Sequence, residues 1–279
     1  MVGGKGAATQ EMSRKTISYA TPALEKGLDV IELLAHQREG LTKSQIAREL
    51  HRTVSEIFRM LETLKRRGYI SQVAEDRYAL TLKLFKLVQE HPPTERLIAD
   101  ALPILHCLAR ETLQSCHLGV LEQGQVVILA QVNAPTNVGF YVKLGSTVDL
   151  MEAASGYVLL AYQTEVRREQ MLADWSRETG EIVPHDLEEH LARIRRQGFE
   201  RRESYLVQGV VNFSFPILDD RGAAIAALTV PFIQHAIAPV EGDEVIGALQ
   251  RAAQQLTGAI GGKFTVLPEG PAARGAVPS

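Results

Sequence analysis

Two closely spaced capping signals, Thr42-x-x-Gln45 and Thr53-x-x-Glu56, constrain this chain more than any other feature of its sequence. In each, the threonine hydroxyl accepts from the backbone N–H three residues on, while the Gln or Glu side chain reaches back to the threonine N–H. The first signal precedes Ile46, Ala47 and Leu50; the second precedes Val54, Ile57, Leu61 and Leu64, which recur at helical spacing and define one buried side. Two short helices therefore abut across His51-Arg52. Upstream, Leu24, Leu28, Ile31 and Ala35 follow Pro22 at the same period, predicting a first helix of about four turns that ends by Gly40. Gly68 stops the third helix. Two β-like runs follow, Tyr69 to Val73 and Arg77 to Leu80, joined by the turn Ala74-Glu75-Asp76. Three helices and a hairpin make a winged helix.

That module fills under a third of the 279 residues, so a second domain is expected. Charge divides the chain in the same way. Residues 1–90 hold 15 basic against 11 acidic side chains, and the remainder holds 15 against 22. A basic module suited to a polyanion thus precedes an acidic one. The two cysteines, Cys107 and Cys116, form no bridging framework, and no secretory signal follows Met1, which together predict a cytoplasmic protein with buried thiols. The longest apolar run, Ala223 to Ile233, is too short to span a bilayer and contains Pro231, so no membrane partner is expected.

Residues 1–19 read as a flexible arm, 20–81 as the winged module, 82–93 as a linker helix ending at His91-Pro92-Pro93, and the Pro/Gly/Ala-rich 266–279 as a disordered tail. Between them, 94–265 alternate strands and helices. A helix is expected over Thr94 to Thr112, a hairpin from His117–Glu122 and Gln125–Val132 around Gln123-Gly124, and a third strand over Val138–Lys143. A helix of small residues follows from Glu152 to Tyr162, and an amphipathic one from Leu187 to Gln197. Phe199–Ser204, Val210–Leu218 and Ala223–Phe232 read as strands, and Val240–Ile260 as the last helix. This pattern gives an α/β multi-domain chain whose second domain is α+β, with helices on the faces of a mostly antiparallel sheet.

With Val54, Ile57, Leu61 and Leu64 inward, the third helix turns Ser55, Glu56, Arg59, Thr63 and Arg66 outward, with Arg52 just before its first turn. Hydroxyls and guanidinium groups so placed can read base edges and hold phosphates in a major groove. The same residues also suit an ordinary solvated face, with Glu56 doing no more than closing its capping box. Arg77 in the hairpin, the cluster Lys65-Arg66-Arg67 and the three-helix setting favour DNA. Thr42, Lys43 and Thr53, at the starts of the two short helices, complete the candidate DNA face.

Leu24–Leu34, Leu41–Leu50, Ser55–Ile70 and Tyr78–Thr81 resemble the winged helix-turn-helix of the IclR family of bacterial transcription regulators. Gly145–Ala161, Gly198-Phe199, Glu203, Gly209–Val211 and Phe215–Ile217 resemble segments of that family's C-terminal GAF-like effector-binding domain. The resemblance implies a regulator whose grip on a double-stranded operator responds to a small organic, aromatic or sugar acid, acting as a homodimer or homotetramer without a cofactor. It also implies an effector pocket at Met151, Glu152, Ala153, Ala154, Ser155 and Gly156, faced by Asn212 and Ser214. The chain departs from the family at Met151, Tyr157 and Asn212, often His, Lys and Cys there, and at Glu56 and Phe58, often Thr and His. Physically, small residues at 153–156 leave room above a sheet, helix-start N–H groups favour a carboxylate, and Asn212 and Ser214 share one side of a strand. They equally fit a half-exposed sheet face.

Other chemistry is thinly represented. His106, Cys107, Cys116 and His117 have metal-capable side chains, but adjacent His-Cys pairs on a helix and a strand cannot all reach one ion. Gly258 to Phe264 lacks the spacing and hydroxyl of a phosphate loop, no serine elbow or HExxH motif occurs, and the lone Trp175 suits packing. The competing reading is an enzyme acting on a small metabolite, with Glu152 as general base and the N-terminal module serving dimerisation or regulation.

Overall fold

The structure, a computed structural model, describes residues 21–73, 76–89, 92–235 and 240–264. The arm over 1–19 and the tail over 266–279 lie outside the described residues. The chain divides into two compact units, Met1–His91 and Pro92–Ser279.

The first unit contains α1 (Pro22–Ala35), β1 (Leu41–Thr42), α2 (Lys43–Glu49), α3 (Val54–Arg66), β2 (Ile70–Val73), β3 (Arg77–Leu80) and α4 (Lys83–Gln89). Both capping boxes close as expected, Thr42 with Gln45 and Thr53 with Glu56. Between them His51 takes a positive φ of 51°, and the Arg52 N–H donates to the Ala47 carbonyl, which fixes the tight turn from α2 to α3. Val30, Leu34, Ile46, Ala47, Ile57, Leu61, Ile70 and Tyr78 form the core. The wing has three strands, because Leu41 and Thr42 pair with Tyr78 and Arg77; a two-residue strand leaves too short a period to be seen in sequence. Val54 departs from expectation. It is 46% exposed, since the whole first turn of α3 stands clear of the core and burial starts at Ile57.

The second unit comprises α5 (Pro92–Thr112), β4 (Cys116–Glu122), β5 (Gln125–Val132), β6 (Thr147–Asp149), α6 (Ala154–Ala161), α7 (Glu165–Thr179), α8 (Leu187–Gln197), β7 (Glu200–Glu203), β8 (Val211–Leu218), β9 (Ala224–Phe232) and α9 (Gly242–Ala259). Six antiparallel strands run in the order β6-β5-β4-β9-β8-β7. The pairing of β4 with β9 therefore joins two hairpins distant in sequence. On one face, α5 and α9 bury Leu118, Ala130, Phe213, Phe215, Leu228 and Val230; on the other, α6 packs on the sheet, with Leu191 and Ile194 of α8 and Met171 and Trp175 of α7 in the same core.

Two expectations fail instructively. Val138–Lys143 is no strand, and Thr147–Asp149 takes the edge position beside β5 instead. The alternation there is real, but half-buried Phe140 and Val142 line a pocket wall while Val138 and Tyr141 stay exposed. Cys107, expected buried, is exposed on α5, whereas Cys116 on β4 is fully enclosed. Helix α7 goes unread in the sequence because its face is mostly charged; its markers are the Thr164 cap, Met171 and Trp175 one turn apart, and Gly180 in the left-handed region.

Gly156 sits where α6 starts against the preceding turn, and a Cβ there would overlap the Leu150 carbonyl oxygen. Gly156→Ala should therefore lower the stability of the second unit by about 1–3 kcal/mol, the usual scale of overpacking. Urea titration of the full chain measures it, and an unchanged midpoint would contradict the close approach.

Candidate functional sites

On the first unit, the outward face of α3 presents Ser55, Arg59, Thr63 and Arg66, all exposed and with no side-chain hydrogen bond among the described residues. Other candidates are engaged within the unit. Arg52 Nη2 donates to Asp29 Oδ2 at 2.8 Å, and its buried Nε finds no partner among the described residues. Glu56 accepts from Lys26 Nζ at 2.9 Å and from the Thr53 N–H and hydroxyl, and these bonds, led by Lys26, hold its carboxyl down to about 2. Arg77 Nη1 donates to the Gly40 carbonyl at 3.2 Å, pinning the wing to the loop before α2. Thr42 and Thr53 close their boxes, and Lys43 Nζ stands 5.4 Å from the ring centre of exposed Phe58. Among the described residues, Arg59 and Arg66 are thus cations of the outward α3 face with no ion pair.

On the second unit, a small cavity of about 30 Å³ opens at the start of α6. Ala153, Ala154 and Ser155 form its roof, Phe140, Val142 and Val148 one wall, Ser204, Tyr205 and Leu206 the other, and His117, Asn212 and Thr229 its floor. Of the residues expected here, Ala153, Ala154, Ser155 and Asn212 line the cavity. Met151 is buried in the core around α6 and α7; Glu152 is exposed, with its carboxylate 3.7 Å from Arg202 Nη2 and its carbonyl accepting from Arg202 Nε; Gly156 provides the close approach to Leu150. Ser214 is fully buried, and its hydroxyl is 2.7 Å from that of Thr229.

The register explains the floor. Glu200 pairs with Ser214, Ser214 with Thr229, Thr229 with His117 and His117 with Gln131, and cross-strand partners share a face. A polar row thus crosses the sheet beneath α6. At one end the Glu200 carboxylate, 2% exposed, meets His190 Nε2 at 2.9 Å; His190 stacks on Tyr157, whose ring also carries the Arg202 guanidinium. Asp149 organises the other side. Its Oδ1 accepts the N–H groups of Met151 and Glu152, its Oδ2 accepts Trp175 Nε1 at 3.1 Å, and its own N–H donates to the Tyr205 hydroxyl. The cap position of α6, Ala153, provides no side-chain bond, and the Ala154 and Ser155 N–H groups have no acceptor among the described residues.

Sequence reasoning took His117 only as a metal-capable side chain and did not single out Asp149, Thr229 or Tyr205. The signal for His117 lay in its neighbours: Cys116 and Leu118 belong to the core under α5, so the residue between them must face α6. What it meets there depends on a pairing between strands more than a hundred residues apart. Its Nδ1 is buried without a partner among the described residues.

Comparison with known proteins agrees with this arrangement. Residues 23–74 match the family description "IclR helix-turn-helix domain", and 94–257 match "Bacterial transcriptional regulator IclR C-terminal". The chain belongs to the IclR family of bacterial transcription regulators. Among curated relatives, the HTH-type transcriptional regulator KdgR of Escherichia coli is 27% identical over 242 residues, covering 85% of this chain and 91% of the relative. The glycerol operon regulatory protein of Streptomyces coelicolor is 30% identical over 211 residues, covering 75% and 83%. In fold, the chain is similar to an IclR homolog from Microbacterium hydrocarbonoxydans complexed with 4-hydroxybenzoate, with a TM-score of 0.69 at 22% identity over 85% of this chain and 98% of that one. The IclR of Thermotoga maritima gives 0.66 at 20% identity over 85% and 98%. The IclR-type chain is a DNA-binding regulator with an effector-binding C-terminal domain, and the relatives and matched families are regulators, not enzymes. Among the described residues no helix is long and apolar enough to cross a membrane.

Burial pushes the His117 imidazole down to about 4 from 6.5, so it is neutral at pH 7. The unfolded chain binds more protons between those values, so the stability that the neutral ring contributes is complete above about 6.5 and lost as pH falls toward 4. The full loss is on the order of 3 kcal/mol. His117→Gln should flatten this part of the pH dependence in urea titrations at about pH 7 and about pH 5; an equal acid loss in both proteins would contradict it.

Proposed function

We propose that the chain is a cytoplasmic, homodimeric IclR-type regulator that reads its operator through α3 and releases or tightens its grip when a small carboxylic acid enters the cavity at the start of α6. Residues 20–81 serve as the DNA-binding domain, 82–93 as the linker and 94–265 as the effector domain. The observation that carries the reading is the pairing of unengaged Arg59 and Arg66 on the recognition helix with an uncapped helix start over a buried polar floor in the other unit.

In the cavity, the N–H groups of Ala154 and Ser155 meet the carboxylate, while Asn212, Thr229 and neutral His117 meet hydroxyl or carbonyl oxygens. No lysine or arginine lines it, so the helix start supplies the positive potential. The 4-hydroxybenzoate held by the Microbacterium homolog is an acid of this kind. The cavity of about 30 Å³ accommodates water but not an organic acid, so entry requires the segment around Phe140–Val142 or that around Tyr205–Leu206 to move outward.

A dimer follows from the small footprint of one recognition helix, with half-sites about 34 Å apart or a multiple of that. Exposed Leu82, Phe85 and Leu87 on and beside α4 suit its contact. A homotetramer is the alternative assembly.

Arg59→Ala should weaken specific DNA binding by on the order of 1–3 kcal/mol if the guanidinium forks onto a guanine, with less loss on scrambled DNA. Titrations on both duplexes test this, and equal loss on the two makes Arg59 a phosphate contact.

Asn212→Leu should abolish the response of DNA binding to an acid that shifts the wild type, found by screening small hydroxy, keto and aromatic acids including 4-hydroxybenzoate. Affinity without the acid should stay as it is. A variant that responds as the wild type does places Asn212 outside the effector site.

A further inference from the structure

We propose that Val54 and Phe58 form an apolar strip on the recognition helix that takes the 5-methyl groups of thymines in each half-site, so that base choice rests on shape as well as on hydrogen bonds. The inference rests on the reading of α3 as the DNA-facing helix. Val54 and Phe58 lie one turn apart on one flank of α3, and each is 46% exposed. Their neighbours across the helix face are Ser55 and Arg59, so the apolar strip and the free polar groups belong to one surface.

The polar residues that would ordinarily read bases from the start of this helix are occupied. Arg52 is held by Asp29, and Glu56 by Lys26 and Thr53, so both side chains are oriented by bonds inside the unit. Glu56 closes the capping box, and Lys26 offsets its charge. What remains free at the first two turns is one hydroxyl, one guanidinium and two apolar side chains.

The Phe58 ring is also positioned. Lys43 Nζ lies 5.4 Å from its centre, which places a cation at the edge of the strip where the phosphate backbone would pass. A polyanion with an apolar group on the floor of its groove matches this surface, and the thymine methyl is the apolar group that a base pair offers in the major groove. The exposed part of these two apolar side chains gains no packing within the unit. Docking them on methyls gives that exposure a function.

The test uses the full chain and a random duplex library. The selected duplexes should carry thymine at fixed positions in each half-site, and replacing those thymines by uracil, which removes only the methyl, should weaken wild-type binding about 4-fold per methyl at fixed salt. Phe58→Ala, checked for an unchanged far-UV circular dichroism spectrum, should still bind but lose the thymine-to-uracil difference at one position. Phe58→Leu, which keeps apolar surface, should retain much of it. The inference is overturned if selection shows no fixed thymine, if wild type tolerates uracil, or if Phe58→Ala discriminates as wild type does. Those failures differ from failure of the underlying reading, in which Arg59→Ala and Phe58→Ala would both leave DNA binding unchanged.

Discussion

The antiparallel pairing of β4 with β9 is the contact on which the second unit depends. It brings Leu118 opposite Leu228 on the face covered by α5 and α9, and one residue earlier it brings His117 opposite Thr229 on the face beneath α6. A slip by one residue would put the histidine into the apolar core and the leucine into the cavity. Register is therefore what separates a packed face from a chemical one. The large apolar side chains on the α5 side penalise any other alignment, so packing on one face holds the polar row on the other.

This division sets what could be read from the sequence. Local signals were transparent: the two capping boxes, the stop at Gly68 and the hairpin around Gln123-Gly124 act through bonds to neighbours in the chain. Most strands and the amphipathic α8 were legible from period alone. The polar row beneath α6 was not, because His117, Thr229, Ser214 and Glu200 meet only through three strand pairings. Val138–Lys143 misled for a related reason. A segment whose alternate residues face a pocket carries the same alternation as one that pairs with a strand.

On the first unit the difficulty is of another kind. The sequence counts charges, whereas the structure spends several of them internally. Asp29 holds Arg52, Lys26 holds Glu56, and Arg77 binds a backbone carbonyl. These bonds tie α3 to α1 and the wing to the loop before α2, so they contribute to presenting the outward face of α3. The excess of basic over acidic residues in 1–90 therefore overstates the cationic groups available at the first turns of α3.

The cavity's chemistry also bears on how a signal can arise. A neutral imidazole, a hydroxyl and an amide beneath an uncapped helix start give orientation and hydrogen bonds but no full positive charge. An acid bound there is held by partial charges and depends on exclusion of water to make them strong. If this cavity is the effector site, as proposed, its free volume of about 30 Å³ means that an opened form is populated before or during binding. A ligand shifts an equilibrium only by its difference in affinity between two states. A closed form that excludes the ligand contributes no affinity, so the shift is set by the affinity of the open form against the cost of opening.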